Sequence, residues 1–229
     1  MASIKGLTLR LPFVLYTSSH LYLAARQLTE RTGAPPLVAL PLLVVTLGCS
    51  IDNFRLTLGV GTLGKCLTYI SYFLHLVVLP ILVFSTVIIM QDFTGGLKVG
   101  AMSERAINGI AILLVAGLTI DGFYMFFQDV YQNIVVKPSP TNGLNQYGLI
   151  KTPPRFLLGV IVLSLSLLIS TALWWKQRGE YSHFLVQIIC FIGQAATPAV
   201  ISRTWLMQAM NAFEVVVIAD MMSITAAVY

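Results

Sequence analysis

From residue 35 to the C-terminus, long apolar blocks alternate with short polar breaks, and within the blocks there is no two-residue alternation of the kind a membrane-spanning strand needs. The blocks cover residues 35–50, 67–90, 107–128, 154–175, 182–201 and 204–229. Runs of roughly 20 residues match a hydrocarbon layer of about 30 Å at about 1.5 Å per helical residue. Lipid offers backbone groups no hydrogen-bond partner, so such blocks must be helices. The pattern predicts an all-α, polytopic integral membrane bundle of about six transmembrane helices. Pro35, Pro36 and Pro41 fall early in the first block, where a helix tolerates them, whereas Pro80 falls inside the second and predicts a kink. The fourth ends in Trp174, Trp175 and Lys176, a membrane-interface signature. The longest break, residues 129–153, is rich in Pro, Asn and Gly and is long enough to cover an opening.

Residues 1–33 follow a different pattern. Lys5, Arg10, Arg26 and Arg31 punctuate a 15-residue stretch, 11–25, that holds Ser18, Ser19 and His20. It is short and polar for a span, so the expected arrangement is an interfacial N-terminal segment (1–33) followed by a transmembrane domain (34–229). Three rivals stand beside it. A signal peptide has the basic start but lacks a clear cleavage site; an organelle transit segment fits the absence of acid before Glu30; and the stretch could be an additional helix of the bundle.

Composition narrows the class. The chain is 57% hydrophobic and 10% charged, against about 25% charged residues in soluble domains, too few to cover a water-facing surface. The net charge of +5 is spread among the polar breaks, which suits anchoring to anionic headgroups and offers nucleic acid no clustered basic face. For six spans the basic residues divide eight to six in favour of the N-terminal side, a weak bias toward a cytosolic (or equivalent) location for both termini. A bacterial inner membrane and a eukaryotic organelle membrane fit equally. Cys49, Cys66 and Cys190 lack metal-type spacing and read as small apolar filler, with a Cys49–Cys66 disulfide as the rival.

Ionisable residues at membrane depth cost about 2.5 to 3.5 kcal/mol each and need a reason. Counting helical rise from the side opposite the N-terminus puts His75 about 12 Å deep, Asp121 and Gln194 about 11 Å and Glu214 about 15 Å, with Asp52 and Asn53 near that surface. Helical spacing also groups Gly117, Asp121, Tyr124 and Gln128 on one stripe and Gln187, Cys190 and Gln194 on another. The reading is a polar pocket or proton relay lined by Asp52, Asn53, His75, Asp121, Gln194 and Glu214. A competing account gives these residues nothing more than interhelical hydrogen bonds, worth about 0.6 kcal/mol each.

Apolar surroundings draw carboxylic acids and imidazoles toward a common near-neutral range, so this set suits a small-solute or proton-linked transporter or channel. A structural or assembly subunit of a membrane complex is one alternative, and an enzyme acting on a lipid-like substrate a second. The enzyme reading is the weaker, because no G-x-S-x-G elbow occurs. No cofactor is expected. His with carboxylates suits Zn, Mn or Fe, but no Glu-x-x-His or His-Glu-x-x-His spacing supports a metal. The run Gly59-Val60-Gly61-Thr62-Leu63-Gly64-Lys65-Cys66 nearly fits a phosphate loop, yet Cys66 stands where Ser or Thr would hold magnesium and no strand precedes it, so a connection between spans is expected. The bilayer is the one certain partner; a small solute or proton, and an oligomeric or membrane-complex partner, are the other candidates.

Overall fold

The computed structural model describes residues 4–30, 33–94, 103–138, 144–200 and 204–229; the side chains of residues 4–9, 154, 194–200 and 204–210 lie outside that description. In order, the elements are α1 (Ile4–Thr29), α2 (Pro36–Leu58), α3 (Thr62–Phe73) with a π turn (Leu74–Val78), α4 (Ile81–Thr94), α5 (Glu104–Met125) with a second π turn (Phe126–Val130), β1 (Ile134–Pro138), β2 (Asn145–Leu149), a 3-10 turn (Pro154–Leu157), α6 (Leu158–Arg178), α7 (Ser182–Val200) and α8 (Thr204–Val228). Among the described residues four helical stretches are long and apolar enough to cross a bilayer: Pro36–Leu58, Glu104–Val130, Arg155–Arg178 and Asn211–Val228. The pair Thr62–Val78 and Ile81–Thr94 makes a fifth if counted as one broken span. Helices of this kind suggest a multi-pass membrane protein. Six blocks were expected; the one not among these is the fifth, α7, whose apolar part among the described residues, Ser182–Gly193, is shorter than a span.

Local chemistry sets the breaks. Pro36 starts α2 at a position that needs no N–H, and Gly59, at φ 73°, ends it. A Cβ on Gly64 would sit 2.4 Å from the Gly59 carbonyl oxygen. The glycine run is thus a tight corner between two helices, with no strand before it to make a phosphate loop. Ser103 caps α5 by accepting from the Ala106 N–H at 3.3 Å. Gly179, left-handed at φ 76°, closes α6.

The kink expected at Pro80 is present: α3 with its π turn and α4 meet at 44°. Proline lacks the N–H that would serve the carbonyl of Leu76 four residues back. That carbonyl instead faces Gly122 of α5, where a Cβ would lie 2.1 Å from it. Only a residue without a side chain allows α5 this close to the π turn.

Packing centres on Leu23 of α1, Leu42 and Val45 of α2, Leu82 and Val83 of α4, Leu163 and Leu167 of α6, and Ile218 and Met221 of α8. α6 contributes a narrow buried stripe (Leu163, Leu167, Thr171, Trp174) and is otherwise outward-facing. α5 buries even less of itself, and its exposed Leu113 and Ile120 are the kind of surface lipid covers. α1 runs antiparallel beside α2. The Arg10 guanidinium lies 3.3 Å from where a Gly59 Cβ would be, and Gln27 Nε2 donates to Thr46 Oγ1 at 2.9 Å.

The polar connection 129–153 departs from an all-helical reading. It holds an antiparallel hairpin in which Ile134 faces Leu149 and Pro138 faces Asn145. Ile134 and Leu149 pack with Val130, Tyr69, Tyr72 and Phe156, so the hairpin is fastened over the α3 end of the bundle by apolar contact. Its strands are five residues each, too short to stand out from a Pro- and Gly-rich stretch.

Candidate functional site

Where α2, the α3 π turn and α8 converge, Asp52, His75 and Glu214 border one partly open cavity of about 50 Å³, together with Cys49 and Ser71. A neighbouring cavity of about 100 Å³ shares Val45, Cys49, His75, Leu79 and Glu214 and extends toward Ser164 of α6 and Gln187 and Cys190 of α7. Each has room for several waters at about 10 to 15 Å³ apiece.

Asp52 is the fixed member. It accepts from Arg55 Nε at 2.8 Å and from the Ser71 hydroxyl, while 32% of its side chain stays open. Arg55 is clamped in turn: its guanidinium lies 5.6 Å from the Tyr72 ring centroid and donates to the Tyr147 carbonyl at 3.4 Å, tying the hairpin to the site. His75 sits in the π turn, a helix irregularity common at functional positions. Its ring stacks on Phe156, centroids 4.9 Å apart and planes within 10°, and its buried Nε2 has no hydrogen-bond partner. Glu214 is half-buried and forms no hydrogen bond or ion pair among the described residues.

The other three expected members are placed differently. Asp121 lies on the far side of His75 in a separate recess of about 10 Å³, held by Arg155 at 2.9 Å. Arg155 also reaches Asp129 at 3.4 Å and lies 5.4 Å from the Tyr124 ring centroid. Asn53 is fully buried and knits helices together, donating to the Cys49 carbonyl at 2.9 Å and accepting from Asn211 of α8. The side chain of Gln194 lies outside the described residues. Asp220, also on α8, is satisfied by α7: His183 Nδ1 lies at 2.6 Å and Gln187 Nε2 donates at 2.7 Å.

Sequence reasoning left out His20 and treated Cys49 as filler. His20 of α1 is fully buried, and its ligand atom, the Cys49 sulfur and a Glu214 oxygen all lie within 4.8 Å of one another. The antiparallel pairing of α1 with α2 sets residue 20 opposite residue 49, a neighbourhood that the spacing within either block does not carry. All three cysteines are free, so the Cys49–Cys66 disulfide does not form. No protein-family model matches the chain, and no curated protein matches it in sequence.

Proposed function

We propose that this chain is a multi-pass membrane transporter or channel for a small polar or cationic solute, with six spans from α2 to α8 and α1 lying beside α2 as a seventh. The supporting observation is that Asp52, His75 and Glu214, from three separate elements, border one partly open cavity between the helices. Two carboxylates beside that space, one of them held by Arg55 and the other without a partner among the described residues, favour a cation over an anion. A purely structural role would leave Glu214 bonded to a neighbouring helix, as Asp220 is. α1 counts as a span because it follows α2 from Gly59 to Thr46, whereas an interfacial helix would cross the bundle end.

The test is flux into proteoliposomes, screened over monovalent and divalent cations and small amines, with internal pH followed to detect a proton-linked mode. Glu214→Gln lowers the wild-type flux by roughly tenfold or more, equivalent to about 1.4 kcal/mol. Undiminished flux in this variant, or no flux from folded wild type, overturns the proposal.

A further inference from the structure

We infer that His20, Cys49 and Glu214 form a binding site for a divalent transition-metal cation, of which Zn²⁺ and Co²⁺ are the probes. This goes beyond the transport reading, since such a site could bind metal in a protein that transports nothing.

Three helices bring the donors together: α1 carries His20, α2 carries Cys49 and α8 carries Glu214. Their ligand atoms lie within 4.8 Å of one another. Around a tetrahedral zinc, with bonds of about 2.0 to 2.3 Å, donors sit roughly 3.3 to 3.8 Å apart. Contraction by about an ångström around an ion therefore completes the geometry.

The imidazole is already oriented. His20 Nδ1 lies 2.8 Å from the Tyr16 carbonyl oxygen, which only accepts, so Nδ1 carries the proton. The Nε2 lone pair is then free to ligate, and a backbone carbonyl behind the ring is the usual support for a metal-binding histidine. In a fully buried residue that Nε2 has no hydrogen-bond partner, although a thiol and a carboxyl stand nearby. The three groups are thus too far apart to satisfy one another and close enough to share an ion. An unmet buried nitrogen of this kind costs about 1 to 3 kcal/mol, which a cation would recover.

The donor set selects the ion. Imidazole, thiolate and carboxylate together suit zinc, cobalt or iron(II) and poorly suit magnesium or calcium, which take oxygen donors. Binding forms metal–nitrogen, metal–sulfur and metal–oxygen bonds, and the protons of the Cys49 thiol and of the Glu214 carboxyl, where it carries one, pass to solvent water. Asp52, committed to Arg55 and Ser71, is left out of the set.

The experiment uses the full chain, purified in detergent and stripped with chelator. Titration with Zn²⁺ against a chromophoric competitor is expected to give one ion per chain, and Co²⁺ to give a thiolate charge-transfer band. Cys49→Ser is expected to remove that band, and His20→Ala to weaken Zn²⁺ binding by at least about tenfold. Cys66→Ser, at an exposed residue outside both cavities, should change neither. A readout without substitutions guards against misfolding: bound Zn²⁺ should protect Cys49 from alkylation in the wild-type chain while Cys66 stays reactive. Absent stoichiometric binding, binding indifferent to Cys49→Ser and His20→Ala, or unprotected Cys49 each overturns the site. Cation flux without Zn²⁺ binding would remove this inference and keep the transport reading; Zn²⁺ binding without any flux would do the reverse.

Discussion

Gly122→Ala probes how the site is held. The added methyl would meet the Leu76 carbonyl oxygen at 2.1 Å and its carbon at 2.8 Å, both of them backbone atoms that cannot rotate away. Relief needs α5 and the π turn to part by about an ångström, and overpacking of that kind costs about 1 to 3 kcal/mol. With a rigid partner the upper end applies. Alanine's helical advantage of up to about 1 kcal/mol offsets part of it, leaving a net loss of about 2 kcal/mol. Gly117 lies on the same helix with nothing within 4 Å of an added Cβ. There the same substitution keeps only the gain, so the two variants should differ by about 3 kcal/mol, two decades in the unfolding equilibrium. SDS-driven unfolding of the detergent-solubilised protein, followed by circular dichroism, measures both. The reasoning fails if Gly122→Ala is as stable as wild type or if Gly117→Ala is equally damaging.

Asp220→Asn should cost about 1 to 3 kcal/mol in the same assay, because it weakens two buried contacts, from His183 and Gln187. Arg155→Lys should cost no more than about 1 kcal/mol, since the pairs with Asp121 and Asp129 are more than a third exposed and screened by solvent. A membrane-impermeant maleimide should modify Cys66, which is exposed, well before the buried Cys190. In a Cys66→Ser background, Leu11→Cys and Glu30→Cys should label from opposite sides of the membrane if α1 crosses it; labelling from one side alone would return α1 to the interface.

The helical architecture was legible because lipid imposes it: apolar blocks near the bilayer thickness have few other solutions, and Pro80 marked its own break. Which helices touch was not legible. Helical spacing places Glu214 and Asp121 on faces, but a face does not name its neighbour, and Asp121 met Arg155 instead of the cavity. A local feature of α1 offsets part of the polarity that its sequence shows. Thr17, Ser18 and Ser19 each donate to the carbonyl four residues back, at 2.8, 2.9 and 2.9 Å. Hydroxyls satisfied within their own helix expose little polarity to lipid, although hydropathy counts each in full. Discounting them makes residues 11–25 more lipid-compatible, and His20 then stands out as the residue of that stretch with a buried side-chain atom still lacking a partner. Placing α1 across the membrane also moves Lys5 and Arg10 to the opposite side, which turns the basic count from eight against six to six against eight. The charge bias therefore carries no orientation until the position of α1 is measured.

Polar groups in a bilayer divide by whether the fold itself satisfies them, and that division locates the site independently of any motif. Asp220, Asp121 and Asn53 have bonded partners on other helices, and Gln91 bonds Asn108 at 2.7 Å. Five buried side-chain atoms among the described residues have no partner, and two of them are the Nε2 atoms of His20 and His75. Glu214 stands with both histidines, sharing a cavity with His75 and a 4.8 Å cluster with His20. Unsatisfied donors and acceptors scattered at random would be a defect of packing. Two imidazole nitrogens without a partner, one on each side of the Glu214 carboxyl and drawn with it from three elements, are the concentration of unmet polarity on which the transport and metal readings both rest.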